Sequence, residues 1–185
     1  ENRRMNIKHN IEITPRIGCK NYCEYCPQST LIKRYRERIG HDKDTMMTLE
    51  TFKKCLSTIP LHVGLNFTGY VEPFLNPVTP DMLLHAYERG YSILLNTTLV
   101  GLKKDDWMRV KDINFRELHI HLPSGAFDEM IGVQIPVEVY EENGRRIKKL
   151  SEEYYDMLNF IIQNPGNGWG QYKLDFHCLG DLHPE

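Results

Sequence analysis

The sequence predicts an α/β fold with a parallel sheet. Short strand-like runs alternate with helix-like patterns along the chain, in the order β-α-β-α-β-α-β-α-β. Such alternation is typical of parallel strands that are joined by right-handed helical crossovers. The run YSILLNT at 91–97 has an unbroken apolar centre, as expected for a strand that is buried on both faces. Ligands of such sheets bind at the carboxyl ends of the strands, so the residues that follow each strand are the first candidates for function.

The first part of the chain contains two predicted strands and one predicted helix. Residues 6–14 alternate apolar and polar side chains and lead into a cysteine-rich loop, and residues 62–69 are the second strand candidate. The run from 45 to 59, with Thr48 as N-cap, places four apolar residues on one helical face: Leu49, Phe52, Leu56 and Ile59. Residues 34–44 are rich in charge and predict a solvated loop, with a flap over a substrate as the alternative.

The alternation continues in the second part of the chain. Residues 79–90 carry the start and stop signals of a helix, namely Thr79 as cap, Pro80, Asp81 and the terminating Gly90. The run KKDDWMRV predicts a short helix, and residues 115–122 and 172–179 predict two more strands. Residues 123–146 contain several glycines and prolines and predict an irregular insertion with one short helix, whereas residues 147–163 predict an amphipathic helix.

The composition indicates a single globular domain over residues 1–185. The chain is 41% apolar and 26% charged, with 23 basic and 25 acidic side chains. Without a basic stripe it gives no indication of nucleic acid or a membrane surface as partner, and no apolar run approaches the roughly 18 residues of a transmembrane helix. The five cysteines, three of them clustered, favour a cytoplasmic location. Because the chain lacks an initial methionine and stops soon after the fifth strand candidate, we expect an incomplete sequence.

Three cysteines lie together in the run RIGCKNYCEYCPQS. Cys19, Cys23 and Cys26 have the spacing C-x3-C-x2-C. A disulfide between two of these cysteines would leave the third thiol unpaired. A structural zinc site would need a fourth ligand. His9, His41 or a distant cysteine could supply it, but none of them lies at a spacing that is characteristic of zinc sites. An iron–sulfur cluster is the third interpretation. With three thiolates, one iron of a [4Fe–4S] cube has no protein ligand and stays open to a cofactor or substrate.

The cysteine loop and a second motif resemble those of a known enzyme family. The cysteine spacing, with aromatic Tyr25 before the third cysteine, resembles the signature of the radical S-adenosylmethionine (radical SAM) enzymes. After the second strand, FTGYVEPFLNP is similar to the family's FSGxGEPLLNP form of a Gly-Gly-Glu-Pro motif. Val71 stands where a second glycine is common. The matching residues are Gly69, Glu72, Pro73, Leu75, Asn76 and Pro77.

A third motif follows the third strand. The run LLNTTL stands where the family often has TNGTL, with Asn96 matching and Thr97 in place of glycine. The three motifs cover roughly residues 10–125. The resemblance implies a partial parallel (β/α) barrel, with five of the usual six strands present. The resemblance extends to the SPASM-associated subgroup of this family. The auxiliary iron–sulfur clusters of that subgroup would belong to a longer parent protein.

The resemblance also implies the cofactors and partners. The three cysteines of the loop would hold a [4Fe–4S] cluster with one open iron, which S-adenosylmethionine (SAM) would chelate. An external one-electron reductant such as flavodoxin or ferredoxin would supply the electron that cleaves SAM. The resulting 5'-deoxyadenosyl radical would abstract hydrogen from an unidentified substrate, a peptide or a small molecule. The cofactor would supply the chemistry, and the protein would supply binding and orientation.

Contacts to SAM would come from the matching motifs. By resemblance, Tyr25 would pack beside the adenine, while the Glu72 side chain and the backbone of Gly69, Tyr70 and Val71 would receive the methionine ammonium group.

Other polar residues near strand ends are further candidates. His119 and His121 share one face of the fourth strand. His121 and Ser124 are candidates for SAM contacts, with a structural histidine as the alternative. Asn96 would bind a ligand or cap a turn, and His177 stands in a similar position on the last strand.

Two cysteines lie outside the loop, and two alternative functions are compatible with the sequence. Cys55 and Cys178 are expected to be small buried residues of the core. A zinc-stabilised, non-enzymatic α/β binding module is one alternative function. A degenerate radical SAM protein, which holds a cluster without cleaving SAM, is the other, because Val71 and Thr97 both replace glycine.

Overall fold

One parallel sheet forms the centre of the molecule. The structure is a computed structural model that describes residues 9–19, 26–40, 45–123, 137–142, 145–167 and 174–179. The strands in chain order are β1 (His9–Ile13), β2 (Val63–Phe67), β3 (Ile93–Thr97), β4 (Glu117–Pro123), β5 (Val137–Glu142), β6 (Arg145–Leu150) and β7 (Leu174–Leu179). The main sheet has the order β1-β2-β3-β4-β7, and every neighbouring pair in it is parallel. The predicted α/β fold with a parallel sheet is confirmed.

The strand order determines where the helices lie. Each strand of the main sheet is added on the same side of the preceding one. Right-handed crossovers between strands in such an order all return over the same face of the sheet. The helices therefore form one layer, and the carboxyl ends of the strands meet along one edge.

The helices of the described residues are α1 (Gln28–Ile39), α2 (Leu49–Leu56), α3 (Thr79–Glu88), α4 (Lys104–Val110) and α5 (Glu152–Gln163). A single 3₁₀ turn, Pro73–Leu75, follows β2. The predicted N-cap of α2 is confirmed, because the Thr48 hydroxyl accepts a hydrogen bond of 3.1 Å from the Thr51 amide.

The core lies between the sheet and helices α2 to α5. The buried residues of the strands are mainly β-branched or large apolar residues, which suit the covered face of a sheet. From the helices come Phe52, Leu56, Met82, Leu83, Trp107, Val110, Tyr154 and Ile161, and from the sheet Ile13, Leu65, Phe67, Ile93, Leu95, Leu118 and Ile120. The predicted apolar face of α2 is confirmed, since Leu49 and Ile59 pack against this core beside Phe52 and Leu56.

The opposite face of the sheet carries polar residues. Asn96 on β3 is level with His119 on β4, and both side chains are half-buried. Leu118 and Ile120 point to the helical layer and are buried. The predicted division of β4 into a polar and an apolar face is therefore confirmed.

The segment before α5 differs from the prediction. Residues 147–150 were expected to begin a helix, but they belong to strand β6, which pairs with β5 as an antiparallel hairpin. The same hairpin corrects the irregular insertion with one short helix that was predicted for residues 123–146, because 137–142 and 145–146 are strand. Helix α5 begins at Glu152, after Ser151, whose hydroxyl accepts from the Tyr154 amide at 3.2 Å. In the register of the hairpin, Val137 is paired with Leu150 and Glu142 with Arg145. An Asn-Gly pair between the two strands is a strong hairpin signal that the helical pattern obscured.

Three smaller predictions were wrong. The first part of the predicted loop at 34–44 is helical, because α1 continues to Ile39. Thr79 is the first residue of α3 and does not cap it; its hydroxyl instead donates to the Pro73 carbonyl at 2.6 Å. Cys55 is exposed, because the adjacent Leu56 and the preceding Phe52 occupy the buried side of α2. For Cys178, only the backbone position in β7 is described.

No helix of the described residues is long and apolar enough to cross a membrane.

Candidate functional site

A cavity of about 270 Å³ lies at the carboxyl edge of the sheet. It is lined by segments that follow β1, β2 and β3 and by the end of β4, the edge at which parallel sheets bind ligands. Its lining residues are Cys19, Cys26, Pro27, Gln28, Thr68, Gly69, Tyr70, Val71, Glu72, Asn96, Thr97, Thr98 and His121. All three sequence motifs therefore contribute to one cavity.

Two cysteines of the loop line this cavity. Cys19 and Cys26 are both half-buried. The side chain of Gln28, only 4% exposed at the start of α1, accepts a hydrogen bond of 2.9 Å from the Cys19 amide. This contact holds the two ends of the cysteine loop together. Cys23 and Tyr25 lie outside the described residues.

The base of the cysteine loop is fixed by Asn76. Its side-chain amide donates to the carbonyls of Pro15 and Met47, at 2.8 and 2.9 Å, and its oxygen accepts from the Val78 amide at 3.2 Å. Asn76 is 1% exposed, so these bonds are protected from water. Arg16 adds a bond of 3.1 Å to the Leu75 carbonyl. The motif after β2 is thus tied to the chain that enters the cysteine loop, a role that the motif match did not reveal.

Gly69 occupies a position that requires glycine. Its φ is +97°, in the left-handed region, and a Cβ atom built there would lie 2.6 Å from the Thr14 hydroxyl oxygen. Val71, which replaces the family's second glycine, is half-buried beside the cavity and has a negative φ, as all described non-glycine residues except Leu99 do. Its backbone is therefore compatible with valine. Tyr70, between them, is 47% exposed on the rim.

The Glu72 carboxylate is 3% exposed and is surrounded by donors of the chain. One oxygen accepts from the Phe74 amide at 3.1 Å and the Thr97 hydroxyl at 2.8 Å. The other accepts from the Thr98 amide at 2.5 Å and the Thr98 hydroxyl at 2.7 Å. A carboxylate can accept about four hydrogen bonds, so these four donors use all of its acceptor sites. Burial raises the pKa of Glu72, and the four hydrogen bonds oppose this rise only in part.

This arrangement modifies the predicted role of Glu72. The sequence predicted that its side chain would receive an ammonium group, but in the structure its acceptor sites are used within the chain. An ammonium group would have to displace one of these donors.

The remaining candidates fall into two groups. Asn96 and His121 line the cavity from neighbouring strands. His119, two residues before His121 on β4, forms a hydrogen bond of 3.1 Å with Glu117. Ser124 lies outside the described residues, and His177 is described only as the backbone position opposite His121.

The donor chemistry of the cavity suits a thiolate-bound metal group. Within the ranges that the structure describes, no three His, Cys, Asp or Glu side chains gather around one point, but Cys23 lies outside those ranges. His9 is a poor fourth ligand for zinc, because it begins β1, roughly 13 Å along the strand from the end that leads to the cysteines. His41 is outside the described residues.

Comparisons with known proteins concern the fold. No family model and no curated protein matches the sequence. The structure is similar to the crystal structure of BtrN in complex with AdoMet and 2-DOIA, with a TM-score of 0.53, 14% identity and 91% of this chain covered. The chain spans only 56% of that protein's length. A crystal structure of selenomethionine BtrN in an open conformation gives a TM-score of 0.47 and 16% identity, over 70% of this chain and 60% of that one. The first likeness indicates an α/β fold with a parallel sheet that is similar to the fold of BtrN.

Proposed function

We propose that this chain is the core domain of a radical SAM enzyme. The observation that supports the proposal most strongly is the meeting of three motifs in one cavity. Cys19 and Cys26, the Gly69–Glu72 segment and Asn96 are far apart in sequence, yet all line it. The similarity in fold to BtrN, whose crystal structure contains AdoMet, is an independent support.

We assign the sheet to a partial (β/α) barrel in which the polar face of β3 and β4 is the interior. The strand order, in which each strand extends the sheet in the same direction, agrees with a barrel of this type. We also propose that residues 1–185 form one domain.

Each motif has a proposed role. Cys19, Cys23 and Cys26 hold a [4Fe–4S] cluster with one open iron, and two of these thiols already lie in the cavity wall. Backbone carbonyls of Gly69 to Val71 receive the ammonium group of SAM. The left-handed φ of Gly69 supports this role, because it lets the backbone approach a ligand without a Cβ between them.

Polar side chains complete the proposed SAM site. Asn96 and His121 lie on adjacent strands along one side of the cavity, where they can contact the ribose and carboxylate groups. Tyr25 beside the adenine and Ser124 beside His121 are assigned by motif position alone. Glu72 orders the site through its contacts within the chain and does not bind the ammonium group.

The proposed reaction requires partners beyond this chain. When bound, the cluster and SAM supply a reductive cleavage that yields a 5'-deoxyadenosyl radical for hydrogen abstraction from the substrate. The residues of the cavity bind and orient SAM and exclude water from it. An external one-electron reductant, such as flavodoxin or ferredoxin, and a peptide or small-molecule substrate complete the system in the cytoplasm.

The decisive experiment is electron paramagnetic resonance of the anaerobically reconstituted, reduced chain, with and without SAM. We expect a [4Fe–4S]⁺ signal that changes when SAM is added. Parallel metal analysis should give iron and sulfide in equal amounts. A cluster signal that SAM leaves unchanged would support the degenerate alternative, and zinc without iron would support the binding module.

A further inference from the structure

Glu72 connects two walls of the cavity that come from different strands. The segment after β2 contains Glu72 itself, and the segment after β3 contains Thr97 and Thr98. We propose that Glu72 is a positioning residue whose buried carboxylate holds residues 97–99 in the conformation that forms one wall of the SAM site. The identity of the ligand rests on the proposed function, whereas the positioning rests on contacts within the chain.

The contacts are concentrated on one short segment. Three of the four donors to the carboxylate come from Thr97 and Thr98, at 2.5 to 2.8 Å. The fourth is the Phe74 amide at 3.1 Å, in the turn that directly follows Glu72. The same carboxylate therefore closes its own turn and fixes the neighbouring strand end. Because the group is buried, these bonds are not exchanged readily for bonds to water.

The segment that Glu72 holds has a strained backbone. Leu99 has a φ of +68° and, among the described residues other than glycine, is the only one in the left-handed region. This conformation is unfavourable for a side chain with a Cβ, so surrounding contacts must maintain it. Leu99 is 3% exposed, and its amide donates to the Thr97 hydroxyl at 2.8 Å. Thr97 thus links the strained residue directly to Glu72.

Helix α5 supports the same segment from the other side. Tyr154 is 3% exposed, and its hydroxyl donates to the Thr98 carbonyl at 2.8 Å. Burial and the nearby negative charge of Glu72 both raise the pKa of Tyr154, so its hydroxyl stays protonated as a donor. Thr98 therefore has its amide and hydroxyl bound by Glu72 and its carbonyl bound by α5.

The carboxylate cannot be replaced by its amide isostere. Each oxygen of Glu72 accepts one bond from a backbone amide, Phe74 on one side and Thr98 on the other. A hydroxyl can rotate to accept a bond, but a backbone N–H can only donate. In Glu72→Gln, either orientation of the side chain would direct its NH₂ group at one of these two amides. The substitution would therefore break the connection without changing the size of the side chain.

The test compares Glu72→Gln with two milder variants and one control. Thr98→Val removes one hydroxyl donor to the carboxylate, and Tyr154→Phe removes the bond from α5. The control is Tyr91→Phe, which removes a buried hydroxyl that bonds Leu56 and Ile59 in the helical layer, away from the cavity lining. Amide hydrogen exchange is measured on the chain without cofactors. The SAM dissociation constant is measured on the cluster-loaded chain, together with its iron content.

We expect Glu72→Gln to increase exchange in the peptide that contains 97–99 by at least about tenfold and to weaken SAM binding by a similar factor, with iron content unchanged. Thr98→Val and Tyr154→Phe should give smaller shifts in both measurements. Tyr91→Phe should lower overall stability and leave both measurements near the wild-type values.

Two results would overturn the proposal. One is unchanged exchange at 97–99 in Glu72→Gln and in Thr98→Val. The other is an equal change in Tyr91→Phe, which would mean that general loss of stability explains the effect. If Glu72→Gln does not fold, Thr98→Val and Tyr154→Phe decide the question. If the wild-type chain does not bind SAM, the proposed function fails, and the exchange measurement still tests the positioning role.

Discussion

The side-chain amide of Asn76 donates a hydrogen bond of 2.8 Å to the backbone carbonyl of Pro15, 61 residues earlier in the chain. Through this bond the motif after β2 and the entry to the cysteine loop form one rigid unit. The second bond of the same amide, to Met47, adds the chain that leads into α2. The buried Asn76 side chain therefore helps to position the two halves of the proposed site, the thiols and the SAM-binding backbone, relative to each other.

Replacement of Asn76 by alanine should loosen the cysteine loop. The variant loses two donated bonds and one accepted bond in a buried place, so we expect the free energy of unfolding to fall by about 2–3 kcal/mol. We also expect the reconstituted cluster to lose iron to a chelator severalfold faster. Asn164→Ala is the control, because its amide donates to a carbonyl at the end of α5 and does not line the cavity. Equal iron loss in both variants would remove the special role of Asn76.

Replacement of Gly69 by alanine should weaken SAM binding by about tenfold or more. The new Cβ would meet the Thr14 hydroxyl oxygen at 2.6 Å, and the left-handed backbone costs a non-glycine residue roughly 1–2 kcal/mol. Gly90→Ala is a matched control, because Gly90 has a φ of +85° with no atom within 4 Å of the new Cβ. It should lose stability similarly but bind SAM normally. Titration of the cluster-loaded variants measures both dissociation constants, and normal binding in Gly69→Ala would contradict the backbone role.

Replacement of Cys23 by alanine should abolish cluster assembly. Two thiolates cannot hold three irons of a [4Fe–4S] cube, so we expect the iron content after reconstitution to fall to the background level. Cys55→Ala should keep full iron content, since Cys55 is exposed on α2 and does not line the cavity. Iron and sulfide analysis, with the visible absorption spectrum, gives the comparison. Full iron occupancy in Cys23→Ala would overturn the proposed ligand set.

The stability of the chain should depend on pH through Glu72. Burial raises the pKa of this carboxyl above its ordinary value of 4.5, so the folded chain keeps the proton to a higher pH than the unfolded chain. The group's contribution to the free energy of unfolding is fully present below pH 4.5 and decreases as pH rises through the raised pKa. The difference in stability between wild type and Glu72→Gln should follow this course in denaturant titrations. A difference that is constant from pH 4 to 8 would contradict it.

The sequence was sufficient to predict the α/β class, the parallel sheet and the edge of the sheet at which the cavity lies. Strands with apolar centres and capped helices carry local signals, and the ordering of parallel strands follows from the handedness of their crossovers. The convergence of Cys19, Gly69 and Asn96 was predictable, because each follows a strand of the same sheet. The hairpin of β5 and β6 was missed, because the charged residues of β6 also fit the start of an amphipathic helix.

The contacts within the site were not predictable from the sequence. A glutamate in a loop motif indicates a ligand for a cation. Only the structure shows that Thr97 and Thr98 donate hydrogen bonds to the Glu72 carboxylate and so use its acceptor sites. The threonine that replaces the family's glycine is one of these donors. Likewise, nothing in the sequence indicates that Asn76 donates to the carbonyls of Pro15 and Met47, which lie 61 and 29 positions earlier in the chain. Such contacts depend on tertiary structure, and local patterns carry no information about them.

The strand order β1-β2-β3-β4-β7 also has a consequence for biosynthesis. Every strand of this sheet after β1 pairs with one that has already emerged from the ribosome, so the sheet can grow at one edge during translation. Among the residues that the structure describes, all that line the cavity have been synthesised once His121 is complete. The contact from Tyr154 to the Thr98 carbonyl comes later, when α5 packs against the core.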